Sequence, residues 1–129
     1  MKTYTFITNF IISLILLIII DIGYLYLLSD YFSSVVRNIQ GAGIKLRFIP
    51  VIFIYLIMSF AIHFFVLKNN QPNYHAFILG VVIYSVFYLT NHSIFNNWAV
   101  PLIFIDSLWG GILLYITTVI TKFITKKIN

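Results

Sequence analysis

Two aspartates interrupt stretches of the sequence that are otherwise almost wholly apolar. Asp21 lies near the end of the first such stretch, and Asp106 lies within the last. A carboxylate in a membrane span costs about 2.5–3.5 kcal/mol on insertion scales, so it is normally turned to the protein interior and serves a function. At 1.5 Å of rise per residue, Asp21 falls about 7 Å and Asp106 about 6 Å beyond the bilayer centre, both toward the face opposite the chain termini. We therefore expect the two carboxylates to share one layer.

Further polar groups are predicted near this layer from the third apolar stretch. Asn91 falls about 10 Å from the bilayer centre on the same side, with Thr90 beside it and Tyr84 and Tyr88 deeper. Residues at helical spacing form three stripes, whose polar members should turn toward one another and away from lipid. The stripes are Ser13, Leu17, Asp21, Tyr24 and Leu28; Gly80, Tyr84, Phe87, Tyr88 and Asn91; and Asp106, Trp109, Gly110, Leu113 and Thr117.

The stripes predict a polar ligand-binding pocket inside a helical bundle, roofed by Trp98 with Asn96 and Asn97. Its predicted lining residues are Asp21, Asp106, Asn91, Thr90, Trp109, Tyr84, Tyr88 and Tyr24. Because no buried Lys or Arg is available to neutralise them, ionising both carboxylates is unfavourable. We therefore expect one of them to hold a proton, or a cation to bind. An acid–base pair, a proton relay and a site for a cationic ligand all fit this arrangement. Protonated aspartates that only join helices, at about 0.6 kcal/mol per contact, fit it as well.

Other kinds of chemistry are not indicated. The chain has no cysteine, which excludes thiolate metal ligands and cysteine nucleophiles. His63, His75 and His92 fall at different levels, and no Glu stands at metal-ligand spacing, so we expect neither a metal nor a cofactor. The net charge of +5 comes from basic residues scattered between apolar runs, which is not the pattern of a nucleic-acid-binding protein.

The composition places the elements that carry these residues in lipid. Apolar residues make up 61% of the 129-residue chain and charged residues 9%, and the mean hydropathy is +1.02. A soluble domain keeps about a quarter of its residues charged. We predict an all-α fold in which residues 1–129 form a single domain, a four-helix transmembrane bundle. Its spans are expected at about 4–28, 48–67, 74–95 and 99–121, since a span needs about 20 residues. The first is too long for the apolar core of a signal peptide, and no small-x-small site follows it, so we expect a retained helix.

One long connection, between the first two spans, has a pattern of its own at about residues 30–40. Apolar residues recur there at helical spacing, namely Tyr31, Phe32, Val35, Val36 and Ile39. Ser29 or Asp30 is the expected N-cap, and Gly41 the expected stop. The pattern fits either a short amphipathic helix in the membrane interface or a loop packed on the bundle.

The distribution of basic residues predicts the orientation of the bundle. Four spans place both termini and the turn near Asn70 on one face, which carries Lys2, Lys68, Lys122, Lys126 and Lys127. The opposite face carries Arg37, Lys45 and Arg47. The positive-inside rule then favours both termini in the cytoplasm.

The second half of the sequence resembles a known membrane family. The run from Tyr84 to Asn91, followed by Trp98 and by Asp-Ser-Leu-Trp-Gly at 106–110, is similar to the family called domain of unknown function 2177. The spacing from Leu-Thr-Asn to Asp-x-x-Trp-Gly carries most of this resemblance.

The first helix carries the resemblance further, and the third departs from it. Asp21 followed by Tyr24, with Tyr31 downstream, resembles the family's pattern of Asp, an aromatic residue three positions later, and a later Tyr. The family's third helix usually reads Tyr-Asp-Leu-Thr-Asn, and Tyr88 stands here in place of that Asp. The resemblance implies the fold and the polar site, and it implies no activity.

We expect the pocket to bind or transport an ion, a proton or a small amphipathic ligand. One alternative is a lipid-modifying membrane enzyme that uses the two carboxylates as acid and base. Another is a structural or assembly subunit of a membrane complex. The expected partners are the lipid bilayer and a small-molecule or cation ligand, and a transport role would favour a homodimer because four short helices make a thin pore wall.

Overall fold

The computed structural model describes the backbone of residues 3–128 and the side chains of residues 5–128, so Lys2 lies outside the described residues. All regular secondary structure in these residues is helical, and they contain no strand. The elements are α1 (Thr3–Leu27), α2 (Ser29–Gln40), α3 (Phe48–Ile62) continued by a π-helical turn (His63–Leu67), α4 (Asn73–Ile94) and α5 (Val100–Ile128).

Four of these helices are long and apolar enough to cross a membrane, which confirms the predicted four-helix transmembrane bundle. They cover Thr5–Leu27, Phe48–Leu67, Asn73–Ile94 and Val100–Ile128. Their outward side chains are apolar and exposed, as Ile15 and Ile19 are on α1. Such a surface suits hydrocarbon and not water.

The last helix continues past its predicted end at residue 121, as far as Ile128. The predicted end falls where Lys122 interrupts the apolar run. A helix of 29 residues is about 43 Å long, whereas the hydrocarbon core is about 30 Å thick. The final turns therefore extend beyond the core, where Lys126 and Lys127 are exposed. Their positive charges interact favourably with the negative C-terminal end of the helix dipole.

The segment after α1 forms a helix, and it packs on the end of the bundle. Its inward face carries Val35, which lies in one apolar cluster with Tyr88, Leu102 and Ile103. The expected N-cap at Ser29 or Asp30 was wrong, because Leu28 occupies that position and no side chain caps the helix. The backbone N–H of Leu28 still bonds to the carbonyl of Tyr24 at 3.2 Å, so α2 continues almost directly from α1 and needs no side-chain cap.

Gly41 ends α2 as predicted. Its φ of 74° lies in the left-handed region, and its N–H bonds to the carbonyl oxygen of Arg37. This is the conformation that favours glycine just after a helix.

The close packing of α5 on α4 depends on glycine. Gly80 on α4 faces Gly110 and Gly111 on α5, and a Cβ at Gly80 would run into the backbone of both. Small residues at such a crossing let two membrane helices approach closely, as expected from the sequence. α5 also packs against α1, and α1 packs against α3.

The contact between α3 and α4 is uneven along their length. Within this pair, α4 contacts the π-helical turn that follows α3 more than it contacts α3 itself, whereas its main packing partner is α5. The Asn9–Thr125 and Lys122–Gln71 hydrogen bonds bring the ends of α1 and α5 together with the 68–72 turn. We call this end of the bundle the terminal end. α3 and α4 therefore diverge toward the opposite end.

Candidate functional site

Asp21 on α1 is buried and accepts two hydrogen bonds from other helices. The indole Nε1–H of Trp109 on α5 donates to its Oδ1 at 3.0 Å. The phenol of Tyr55 on α3 donates to its Oδ2 at 2.7 Å. The residue is 7% exposed, so the carboxylate is satisfied by protein donors and not by solvent.

Asp106 on α5 has the same type of environment and is 3% exposed. The phenol of Tyr24 on α1 donates to its Oδ1, and the phenol of Tyr88 on α4 donates to its Oδ2. Each of the four carboxylate oxygens therefore receives one hydrogen bond.

The two aspartates are joined through a stacked pair of aromatic rings. The rings of Tyr24 and Trp109 lie with their centroids 4.2 Å apart and their planes 5° from parallel. Because Tyr24 bonds to Asp106 and Trp109 bonds to Asp21, the stack holds both carboxylates at one level. We call this set the carboxylate layer; it consists of Asp21, Tyr24, Tyr55, Tyr88, Asp106 and Trp109.

All four spanning helices contribute to the carboxylate layer, and none of them contributes a basic residue. The eight Lys and Arg residues of the sequence fall outside residues 5–28, 48–67, 73–94 and 100–121. The layer therefore contains two carboxylates and four uncharged donors. Two buried acidic groups with no basic residue beside them are costly if both are ionised. The cost falls when a proton or a bound cation neutralises them.

The comparisons with known proteins give a family for this chain. The model of the family described as "Predicted membrane protein (DUF2177)" matches residues 6–123. The chain belongs to this family. No curated protein and no solved structure matches it. With four apolar helices and this membership, the DUF2177 chain is an integral, multi-pass membrane protein.

In this DUF2177 chain, position 88 supplies a donor in place of the carboxylate that the resemblance implies. The Tyr88 phenol bonds directly to Asp106 and is buried. A third acid at this position would face Asp106 as a like charge, which disfavours ionisation of both. Tyr88 instead satisfies an oxygen of Asp106.

The remaining predicted site residues lie beside the carboxylate layer or outside it. Tyr84 is half-buried one turn from Tyr88, and its ring fills the space in front of Gly110. Thr90 is exposed, because two residues of helix turn it about 200° away from Tyr88. Asn91 is half-buried and makes no side-chain hydrogen bond to another described residue.

Of the three predicted roof residues, Trp98 lies near the layer and Asn97 bonds to α2. Trp98 packs near Tyr88 with ring centroids 5.8 Å apart, and its indole nitrogen is buried without a hydrogen-bond partner among the described residues. Asn97 donates to the backbone carbonyl of Asn38 on α2 at 3.3 Å, whereas Asn96 is exposed.

Two apolar cavities reach the layer from the side of the bundle. A groove of about 540 Å³ between α1 and α3 has Asp21 and Tyr55 in its wall. A second, of about 340 Å³ between α3 and α4, has Tyr84 and Tyr88 in its wall. The divergence of α3 from α4 accounts for the second cavity.

Sequence reasoning missed Tyr55, although a signal for it was present. Tyr55 falls about 4 Å from the midpoint of its span, toward the end opposite the termini. This is the level of Asp21 and Asp106. No polar residue of the second span had been assigned to the site, because an isolated Tyr in an apolar run is as easily explained by packing.

Proposed function

We propose that the carboxylate layer binds a small organic cation, such as a protonated amine that carries an apolar chain. One observation carries this proposal: two buried carboxylates face uncharged donors only, and residues 5–28, 48–67, 73–94 and 100–121 contain no Lys or Arg. A bound cation neutralises the pair within the bilayer. Each carboxylate oxygen accepts one hydrogen bond, and its second lone pair is available to an ammonium group.

The aromatic residues favour an organic cation over an inorganic one. Tyr24 and Trp109 present a stacked pair of ring systems beside both carboxylates, and Tyr84 and Tyr88 stand on the neighbouring helix. Ammonium groups are attracted to the faces of such rings, by about 0.5–2 kcal/mol per contact. Inorganic cations instead prefer a cage of oxygen ligands.

The groove between α1 and α3 supplies a place for the apolar part of the ligand. Its wall is formed by aliphatic and aromatic side chains such as Leu14, Ile18 and Val51, and Asp21 is the acidic residue in it. An amphipathic cation dissolved in the membrane meets its charge partner at Asp21 while its chain stays among apolar groups. Entry is then lateral, from the lipid.

A pair of matched probes tests the proposal. Purified protein in detergent is titrated with hexylamine and with hexanol, and the thermal unfolding midpoint is measured. Because a ligand that binds only the folded state stabilises it, hexylamine should raise the midpoint in a saturable manner and hexanol should not. Asp21→Asn and Asp106→Asn should abolish the rise.

Asp30→Asn is the control variant, because Asp30 is the one other acidic residue of the chain and is exposed on α2. It should respond to hexylamine as the unmodified protein does. Equal responses to hexylamine and hexanol, or a hexylamine response that persists in both Asn variants, would overturn the proposal.

A structural role for the same residues is the second candidate. It is favoured by the observation that every carboxylate oxygen already has a donor and that these bonds connect all four spanning helices. In that case the Asn variants change stability or assembly, and no amine binds. The hexylamine titration separates the two functions.

We also propose that both termini lie in the cytoplasm. Lys68, Lys122, Lys126 and Lys127 lie at the terminal end of the described structure, while Arg37, Lys45 and Arg47 belong to the opposite end. The excess of basic residues at the terminal end supports this orientation by the positive-inside rule.

A further inference from the structure

A second set of polar side chains lies inside the bundle, nearer to the terminal end. Its members are uncharged hydrogen-bonding residues, none more than 5% exposed. We call this set the hydroxyl layer; it consists of Asn9, Ser13, Ser59, His63, Thr117 and Thr121. Neither the predicted pocket nor the carboxylate layer includes these residues.

Direct contacts place parts of three helices at this level. The hydroxyl groups of Ser13 on α1 and Ser59 on α3 are 2.6 Å apart. Thr125 on α5 donates to the side-chain oxygen of Asn9 at 2.8 Å. Thr117 and Thr121 precede Thr125 by two turns and one turn, so they extend the same face of α5 inward.

Several atoms of the hydroxyl layer are buried without a hydrogen-bond partner. Among the described residues, Nδ1 of His63 and the hydroxyl oxygens of Thr117 and Thr121 have none, and neither has the adjacent Thr118. A polar group buried without a partner is costly, and it is most costly in hydrocarbon, where no lipid group can replace the bond. Four such atoms within about one helical turn of one another along the bundle axis therefore favour a hydrogen-bonding ligand at this level.

The π-helical turn contributes to this layer. It begins at His63, and the N–H of Lys68 bonds to the carbonyl of His63 at 2.8 Å, the five-residue spacing of a π turn. The wider turn leaves His63, Val66 and Leu67 buried together. Single π turns within α-helices occur often at functional sites.

We propose that the hydroxyl layer binds water that enters from the terminal end of the bundle. Water can both donate to an imidazole nitrogen and satisfy a hydroxyl group, and a buried water makes about three such bonds. A cation fits less well, because no acidic residue belongs to the layer and Lys122 lies one residue from Thr121.

Leucine residues separate this water from the carboxylate layer. Leu17 stands four residues from Ser13 and four from Asp21, and Leu113 stands four from Trp109 and four from Thr117. Both leucines are fully buried and belong to one apolar cluster. Water thus reaches about half-way along the bundle and stops at a single apolar layer below the carboxylates. This inference does not depend on whether the carboxylates bind an amine.

Water-edited solid-state NMR of the full chain in lipid bilayers tests the inference. The methyl groups of Thr and Leu are labelled, and the transfer of polarisation from water to each methyl is timed. The methyls of Thr117 and Thr121 should gain signal several-fold faster than those of Leu17 and Leu113. Transfer to Thr117 and Thr121 that is as slow as transfer to Leu17 would overturn the hydrated layer.

A substitution in the apolar layer tests the barrier separately. Leu17→Ser should speed the transfer to Leu113 to the rate seen at Thr117, because water then passes the apolar layer. Leu108→Ser, a matched change at an exposed position of α5, should leave Leu113 slow. A Leu113 methyl that stays slow in folded Leu17→Ser protein would overturn the barrier.

Discussion

Tyr24 and Trp109 stack on one another, and each donates a hydrogen bond to the aspartate that stands three residues before the other. On a helix, residues three apart share a face. Two antiparallel helices that each carry Asp-x-x-aromatic can therefore exchange these bonds reciprocally. The geometry gives a physical reason for both Asp-x-x-aromatic motifs of the sequence, at 21–24 and at 106–109.

Tyr24→Phe should destabilise the protein by about 1–3 kcal/mol, because it leaves one oxygen of the buried Asp106 without its donor while the ring is kept. Equilibrium unfolding in mixed micelles measures the change. Tyr26→Phe is the matched control, since Tyr26 is 78% exposed, and it should shift stability by less than about 0.5 kcal/mol. Equal effects of the two substitutions would show that the bond to Asp106 contributes nothing measurable.

Asp106→Asn should be tolerated far better than Asp106→Ala. The amide oxygen of Asn accepts from one phenol, and its NH₂ group donates to the oxygen of the other, so Tyr24 and Tyr88 both keep a partner. Alanine leaves both phenols unpartnered and opens a cavity, which we expect to cost at least about 2 kcal/mol more. Unfolding of the two variants under the same conditions checks the order, and a less stable Asn variant would contradict it.

Helix rise and helical phase were sufficient to predict which residues share the level of the carboxylate layer. Both are fixed by backbone geometry, so Asp21 and Asp106 could be placed in one layer, and Ser13 and Leu17 on the inward face, before any tertiary contact was known. The depth of Tyr55 pointed to the same layer, but only packing decides whether a tyrosine of α3 turns toward Asp21. The side-chain partners of each carboxylate depend on that packing as well.

Other features depended on tertiary structure alone. The π turn at His63 leaves no periodicity in the sequence that distinguishes it from an α-helix. The periodicity of residues 30–40 indicated a helix, but it did not show whether that helix lies in the membrane interface or packs on the bundle end. Thr90 was assigned to the pocket by its depth, and its helical phase relative to Tyr88 places it on the opposite side of α4. Helical phase therefore excludes from the site residues, such as Thr90, that depth in the membrane alone would include.

Gly80→Ala should destabilise the bundle by about 2 kcal/mol or more, because the new Cβ meets the backbone of Gly110 and Gly111, which cannot move as a flexible side chain can. Gly23→Ala is the control, since a Cβ at Gly23 meets nothing within 4 Å. That change should be neutral or stabilising by about 0.5–1 kcal/mol, the usual preference for Ala over Gly in a helix. Unfolding measurements that rank the two variants in the reverse order would contradict the close contact of α4 with α5.

The proposed orientation can be read directly, because the chain contains no cysteine and a single introduced thiol is unambiguous. Lys45→Cys and Lys127→Cys place exposed thiols at opposite ends of the bundle. A membrane-impermeant maleimide added to intact expressing cells should label Lys45→Cys and should reach Lys127→Cys only after the membrane is opened. The reason is that the terminal end carries the larger number of Lys and Arg residues, which are retained on the cytoplasmic side. Labelling of Lys127→Cys in intact cells, with protection of Lys45→Cys, would reverse the orientation, and the hydroxyl layer would then open to the outside.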